Sequence, residues 1–333
     1  MATAKILGDG EMISRRNFLK SAVIGAGGVV LMTTQKRTHA ADIQIEQIGD
    51  SRYLLGESPV WDTKNNTLYW VDVIGQSIWR HRPGTEDYTQ WKLPDMVSSL
   101  ALKNGGNAII TLSNGFYDFN FDTDDCTLIG ETIEADQPTR FNDGKVDRHG
   151  RFIAGTMDNT ITKPIGSLYS LSKDKIVSKL DSDIICSNGP CWSLDGKTLY
   201  FTDTMRSTIF AYDYNSNDGT VGPRRVFSDL RKLGIQSAPD GCTVDSEGYL
   251  WSAQCLAGTI ARIAPDGSLD RLIEMPVKYV TSVMFGGEKL DTLYVTSLNI
   301  PLLGNPPQEP NAGGLFAVNG LGFTGVPEPR YAG

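Results

Sequence analysis

Along the chain, short apolar and polar alternations return at a nearly constant interval. Each begins on a polar residue with an apolar one a few positions on: ESPVWD from Glu57, SSLALK from Ser98, NDGKVD from Asn142, NGPCWS from Asn188, DGCTVD from Asp240 and TSVMFG from Thr281. The six openings are 41, 44, 46, 52 and 41 residues apart. Behind each come further strand patterns divided by a turn, as in NNTLYWVDVIGQSIWRH, GKTLYFTDTMRSTIFAYDY and GYLWSAQCLAGTIARIA. Short strands in units of about 40–50 residues predict a β-propeller, with four-stranded blades around a central channel. Six units predict six blades. A helical solenoid has a similar period, but the two-residue alternation and the Val, Ile, Thr and Tyr content argue against it. The stretch DIQIEQIG, 42–49, alternates like an edge strand ahead of the first unit. It is expected to close the ring by completing the last blade beside YVTS and LFAV.

The first forty residues follow a different pattern. Ser14-Arg15-Arg16-Asn17-Phe18-Leu19-Lys20 precedes the apolar run SAVIGAGGVVLM, and Thr38 and Ala40 supply the small residues expected before a cleavage point after Ala40. The segment resembles a twin-arginine export signal, and its apolar run is too short to span a bilayer. The expected organisation is an export signal over 1–40 and a single six-bladed propeller domain over 41–333. The twin-arginine translocase would be a partner during export. The mature protein would be periplasmic, without stable membrane association.

Removing 1–40 changes the charge. The full chain has 31 Lys and Arg against 39 Asp and Glu; the first forty residues hold six and two of these, leaving 25 against 37, or -12. Such an acidic field disfavours nucleic acid and anionic membranes and concentrates cations. The cysteines, Cys126, Cys186, Cys191, Cys242 and Cys255, are odd in number and contain no CxxC, so no disulfide framework is expected.

If every unit opens with its blade's innermost strand, the first residues of the units meet at one end of the channel. Glu57, Asn142, Asn188 and Asp240 then converge, although Glu57 and Asp240 stand 183 positions apart. Two carboxylates and two carboxamides form an oxygen donor set suited to Ca²⁺, Mg²⁺ or Mn²⁺. Zn²⁺ is less well matched without His or Cys. Arg140, a fixed cation with a planar fork of donors, suits hydroxyl, carboxylate or carbonyl oxygens. The polar opening of RFNDGK is expected to be satisfied by substrate and ion and not by the core. Asp143 and Asp147 read as turn and packing residues, and either is an alternative, structural partner for Arg140.

Other chemistries lack their parts. Beyond residue 40 only His81 and His149 remain and there is no G-x-S-x-G, which excludes a serine triad on a nucleophile elbow. GLGFTG, 320–325, fits a dinucleotide fingerprint literally, but Pro327 and Pro329 stand where its helix would start. Asp122, Asp124 and Asp125 lack the rest of a calcium loop and read as a solvated turn.

GESPVW at 56–61, RFNDGKVD with AGTM at 140–157, SNGPCWS at 187–193, APDG at 238–241 and the ending GLGFTGVPEPRYAG together resemble the SMP-30/gluconolactonase/regucalcin family. The resemblance spans essentially all of 41–333. It implies a six-bladed propeller with a central metal site. It also implies Glu57, Asn188 and Asp240 as ligands of one divalent ion, Ca²⁺ foremost, with Arg140 and Asn142 on the substrate and Asp240 also as general base. The implied activity is hydrolysis of a sugar (aldono-) lactone to its aldonic acid. One departure bears on substrate: animal members carry a Glu shortly after the GTM segment, where this chain has Asp158, Asn159 and Thr160. Two alternatives stay open, a phosphotriesterase or aryl-esterase on the same ion and a calcium-binding propeller without turnover. Arg140 and Asn142 suit a polyhydroxylated substrate, whereas an aromatic-ester pocket requires apolar residues near the channel mouth.

Overall fold

Alternating strands with tight turns between them fold as antiparallel meanders. In a computed structural model, which describes residues 43–131 and 137–333, they form six four-stranded sheets. The expected twin-arginine signal over 1–40, with its expected cleavage point after Ala40, falls outside the described residues. The inner strands of blades one to six are Gly56–Asp62, Ser99–Leu102, Thr139–Val146, Ser187–Trp192, Ala238–Val244 and Val280–Gly286. Each packs against the inner strands on either side, which closes a ring. The fold is the expected all-β six-bladed propeller.

Closure is made as the alternation of DIQIEQIG suggests. Gln44–Ile48 is the outer strand of blade six, antiparallel to Leu315–Asn319, with Gln44 opposite Asn319 and Ile48 opposite Leu315. Pairing the start of the chain with its last strand leaves no radial gap through which the ring can open. The inner and second strands are buried along almost their whole length, and their apolar faces make cores between neighbouring blades. One such core sets Val71 and Ile78 of blade one against Leu100 and Ile110 of blade two.

Five of the six inner strands carry a β-bulge near their start. The register slips between Glu57 and Val60, Phe141 and Gly144, Asn188 and Cys191, Pro239 and Cys242, and Val280 and Val283. Blade two, which opens with Ser98 and Ser99, pairs without a slip. A bulge adds one unpaired residue and re-aims the side chains beside it. Gly189 shows the constraint: its φ is +53°, and a Cβ there would lie 2.7 Å from Cys242 Sγ and 2.8 Å from the Asp240 carbonyl oxygen. The bulges of blades four and five are thus in direct contact.

The far end of the channel is crossed by the C-terminal segment. Gly325 bridges Asp245, Glu328 lies 3.9 Å from Lys145, Arg330 pairs with Asp62, and Tyr331 bridges Lys103. Tyr331 also donates to the Ser172 carbonyl at 2.6 Å. The ending GLGFTGVPEPRYAG thus forms a strap tying several blades together on the face opposite the inner-strand openings.

Candidate functional site

Glu57, Arg140, Asn142, Asn188 and Asp240 all line one cavity of 290 Å³ at the end of the channel where the inner strands begin. Convergence of the unit openings, anticipated from the repeat register, is therefore what the fold produces. Glu57, Asn142, Asn188 and Asp240 are buried and Arg140 is half-buried.

The polar groups are tied into a chain that runs between blades. Arg140 Nη1 donates to the Phe141 carbonyl at 2.8 Å and to Asn142 Oδ1 at 2.9 Å. Asn142 Nδ2 donates to the Ser187 carbonyl at 2.8 Å and to Asn188 Oδ1 at 2.9 Å. Asn188 Nδ2 then donates to Thr204 Oγ1 at 2.7 Å, and Thr204 donates to the Pro239 carbonyl at 2.8 Å, next to Asp240. Asn142 thus finds its partners within the protein, where RFNDGK had suggested substrate and ion. Both its N–H bonds are used, and it holds the Asn188 oxygen and the Arg140 fork in place.

The carboxylates are treated differently. Asp240 Oδ1 is buried with no hydrogen-bond partner. Burial, and then the nearby Asp143 carboxylate, push the Asp240 carboxyl well above the ordinary range. Burial likewise raises Glu57 well above its ordinary value, followed by repulsion from Asp240 and Asp143; the Ser58 backbone N–H and Arg140 oppose this. Asp143 is raised by burial and restrained by Lys145 and by the N–H groups of Gly189 and Gly144. Its oxygens accept from Gly144 at 2.7 Å and from Gly189 at 2.9 Å, so it joins the bulges of blades three and four. Burial lowers the Arg140 guanidinium, opposed by Cys186 and Glu57. A site with mutually repelling buried carboxylates and an unpartnered oxygen is short of positive charge, which a bound cation would supply. Two carboxylates and one carboxamide oxygen fit a hard cation. Among the described residues no group of three or more His, Cys, Asp and Glu side chains is clustered as a metal site.

Asp147 and Arg140 do not meet. Asp147 pairs with Arg151 at 2.8 Å and accepts from Tyr214 at 2.6 Å. Asp143 and Asp147 are packing-satisfaction residues as anticipated, with Asp143 adding to the electrostatics of the cavity. None of the five cysteines is paired; Cys186 and Cys255 line the cavity. Asp158, at the departure after GTM, accepts from Thr160, Thr162 and Lys163 and organises its own loop.

Sequence reasoning missed three supporting residues. Thr204 joins Asn188 to blade five, as described above. Asp72 and Asp203, which end the second strands of blades one and four, hold the segments leading into the site. Asp72 accepts from the Leu54 and Leu55 N–H groups at 3.1 and 3.0 Å, just before Glu57. Asp203 accepts from Ile185 and Cys186 at 3.2 and 3.3 Å, just before Asn188. The signal was the Asp recurring at the same point of YWVD and YFTD.

Residues 55–299 match the family described as SMP-30/Gluconolactonase/LRE-like region. Regucalcin of Gallus gallus is 37% identical over 300 residues, covering 88% of this chain and 100% of that protein. A solved luciferin-regenerating enzyme aligns with a TM-score of 0.81 at 29% identity, over 86% of this chain and 99% of that one. A calcium-binding protein, regucalcin from Agrobacterium tumefaciens, aligns with a TM-score of 0.79 at 30% identity, over 86% and 96% of the two chains. With its six blades, its bulged inner strands and its convergent Glu57, Asn188 and Asp240, the chain belongs to the SMP-30/gluconolactonase/LRE-like family.

Proposed function

We propose that the protein is a divalent-cation-dependent hydrolase of lactones, with Glu57, Asn188 and Asp240 as the ion's ligands. The observation that carries this reading is the pair of buried carboxylates at the cavity floor, one with an oxygen that no protein group satisfies. An ion bound there supplies a Lewis acid for the ester carbonyl and lowers the pKa of water. Asp240 has two oxygens and serves as general base, taking the proton of the attacking water and returning it to the ring oxygen that departs as the acyl C–O bond breaks. Arg140 has spent Nη1 on Phe141 and Asn142, leaving Nη2 and Nε to donate to the substrate's carbonyl or to the product carboxylate. Asn142 orients that fork and fixes the Asn188 oxygen.

Oxygen-only ligands favour Ca²⁺, with Mg²⁺, Mn²⁺ and Zn²⁺ as comparators. The aldonolactone implied by the family resemblance is one member of the proposed substrate class. Export by the twin-arginine route to the periplasm, with cleavage after Ala40, completes the reading. A pH-indicator screen of lactones, aryl esters and phosphotriesters tests it, using chelator-treated protein with each ion added back. Turnover that appears with an ion and vanishes with chelator is expected. Ion binding without turnover of any lactone defeats the reading and favours a binding propeller, and turnover confined to aryl esters or phosphotriesters favours the other hydrolase.

A further inference from the structure

The cavity floor is polar, but its mouth is not. Ile74, Ile161, Met205 and Leu256 lie in the loops joining the second and third strands of blades one, three, four and five, and Leu302 and Leu303 in the same loop of blade six; all line the cavity. Five blades thus present an apolar side chain from one topological position. Ile74, Met205 and Leu303 are 39%, 40% and 62% exposed. Three of the six side chains are held on a left-handed backbone, Ile161 at φ 58°, Leu256 at 72° and Leu303 at 50°. Leu and β-branched Ile rarely adopt this conformation, and strain of this kind gathers at ligand sites.

The donors below this collar are already used. Both Asn142 N–H groups, the Asn188 amide, and the hydroxyls of Thr204, Ser207 and Ser237 all donate to protein acceptors. Among the described side chains lining the cavity, Arg140 keeps free N–H groups. A polyhydroxylated ring seated here would turn several hydroxyls toward Ile, Leu and Met side chains, and each would leave water without a partner.

We infer that the substrate is an amphiphilic lactone, whose ring ester reaches Arg140 and the carboxylates while an apolar arm lies against the collar. This rests on the hydrolase reading above and narrows its substrate class. The ring opens by addition of water across the acyl C–O bond, yielding a hydroxy acid whose alkyl or aryl arm is unchanged. The collar binds the arm and takes no part in the chemistry.

The test uses the ion-loaded full-length mature protein and three δ-lactones: the unsubstituted ring, the ring with a pentyl arm, and glucono-δ-lactone. A kcat/KM that rises by roughly threefold to fivefold per buried methylene is expected, with the pentyl lactone preferred over gluconolactone. The double variant Met205→Ser with Leu303→Ser should lower the ratio of pentyl to unsubstituted turnover by about tenfold or more. Faster turnover of gluconolactone than of the pentyl lactone overturns the inference and leaves the hydrolase reading standing. So does a ratio that the double variant does not change, because the collar would then serve a surface contact and not the substrate. Failure of every lactone with every ion removes the hydrolase reading, and this inference with it.

Discussion

Replacing Asn142 and Arg140 with alanine in turn separates a residue that holds the site together from one proposed to act on substrate. The side chain makes three hydrogen bonds, one from Arg140 at 2.9 Å and two outward, to the Ser187 carbonyl at 2.8 Å and Asn188 Oδ1 at 2.9 Å. Truncation strands the last two acceptors at buried residues. At about 1–3 kcal/mol for each buried group left unmade, Asn142→Ala should cost roughly 2–6 kcal/mol. For a domain of this size that corresponds to a melting temperature lower by about 5–15 °C. Arg140→Ala should behave in the opposite way. Its Nη1 contacts are with the adjacent Phe141 carbonyl and Asn142, at a half-buried position that water can refill. The stability change should stay within about 1 kcal/mol, while turnover falls by roughly one to three orders of magnitude through loss of an oriented charge. Thermal unfolding and lactone hydrolysis, measured on both variants and corrected for the folded fraction, decide between these. An Asn142→Ala protein that melts within about 2 °C of the parent would refute the inter-blade hydrogen-bond chain.

Three further outcomes follow from the same geometry. The raised carboxyls of Glu57 and Asp240 mean that the ion-free folded protein holds more protons than the unfolded chain between the ordinary carboxylate pKa and the raised ones. Their contribution to stability is therefore full below the ordinary value and lost as pH rises through the raised ones, so the melting temperature in chelator should fall on going from about pH 5 to pH 8 and recover with Ca²⁺; a flat profile contradicts this. Gly189→Ala places a Cβ against the neighbouring bulge at a φ of +53°, and should destabilise by more than about 2 kcal/mol in denaturant titration. Arg15→Lys with Arg16→Lys should leave folded, full-length precursor in the cytoplasm by fractionation and immunoblot; normal processing of the pair rules out the twin-arginine route.

The repeat made the architecture legible because each blade buries its own two-residue alternation, so six copies of one local pattern sufficed for the ring. DIQIEQIG was readable as the closing strand for the same reason. Glu57, Asn142, Asn188 and Asp240 could be brought together because they share a register, even though no pair is close in sequence. What stayed hidden lies between blades. The Asn142 to Asn188 bond joins residues 46 positions apart whose side chains face each other only after two bulges re-aim them. Nor does the alternation disclose that a bulge is present, since it shows only as a slip against a partner strand. The apolar collar was in plain view as Ile74, Ile161, Met205 and Leu256, but each alone reads as an ordinary loop residue until the ring sets them around one mouth. The C-terminal strap had no periodicity to reveal it, because its partners, Asp62, Lys103 and Lys145, belong to three different blades.

The most direct measurement of the central claim is calorimetric titration of Ca²⁺ into the chelator-treated protein and its Glu57→Gln, Asn188→Ala and Asp240→Asn variants. A single site is expected in the parent, weakened by about tenfold or more in each variant, with proton release that grows as pH falls toward the raised carboxyls. In Asp240→Asn the loss of lactone turnover should exceed the loss of affinity, because the proposal gives that residue both roles, ligand and base. Undiminished Ca²⁺ binding in all three folded variants would contradict the account and place the ion elsewhere.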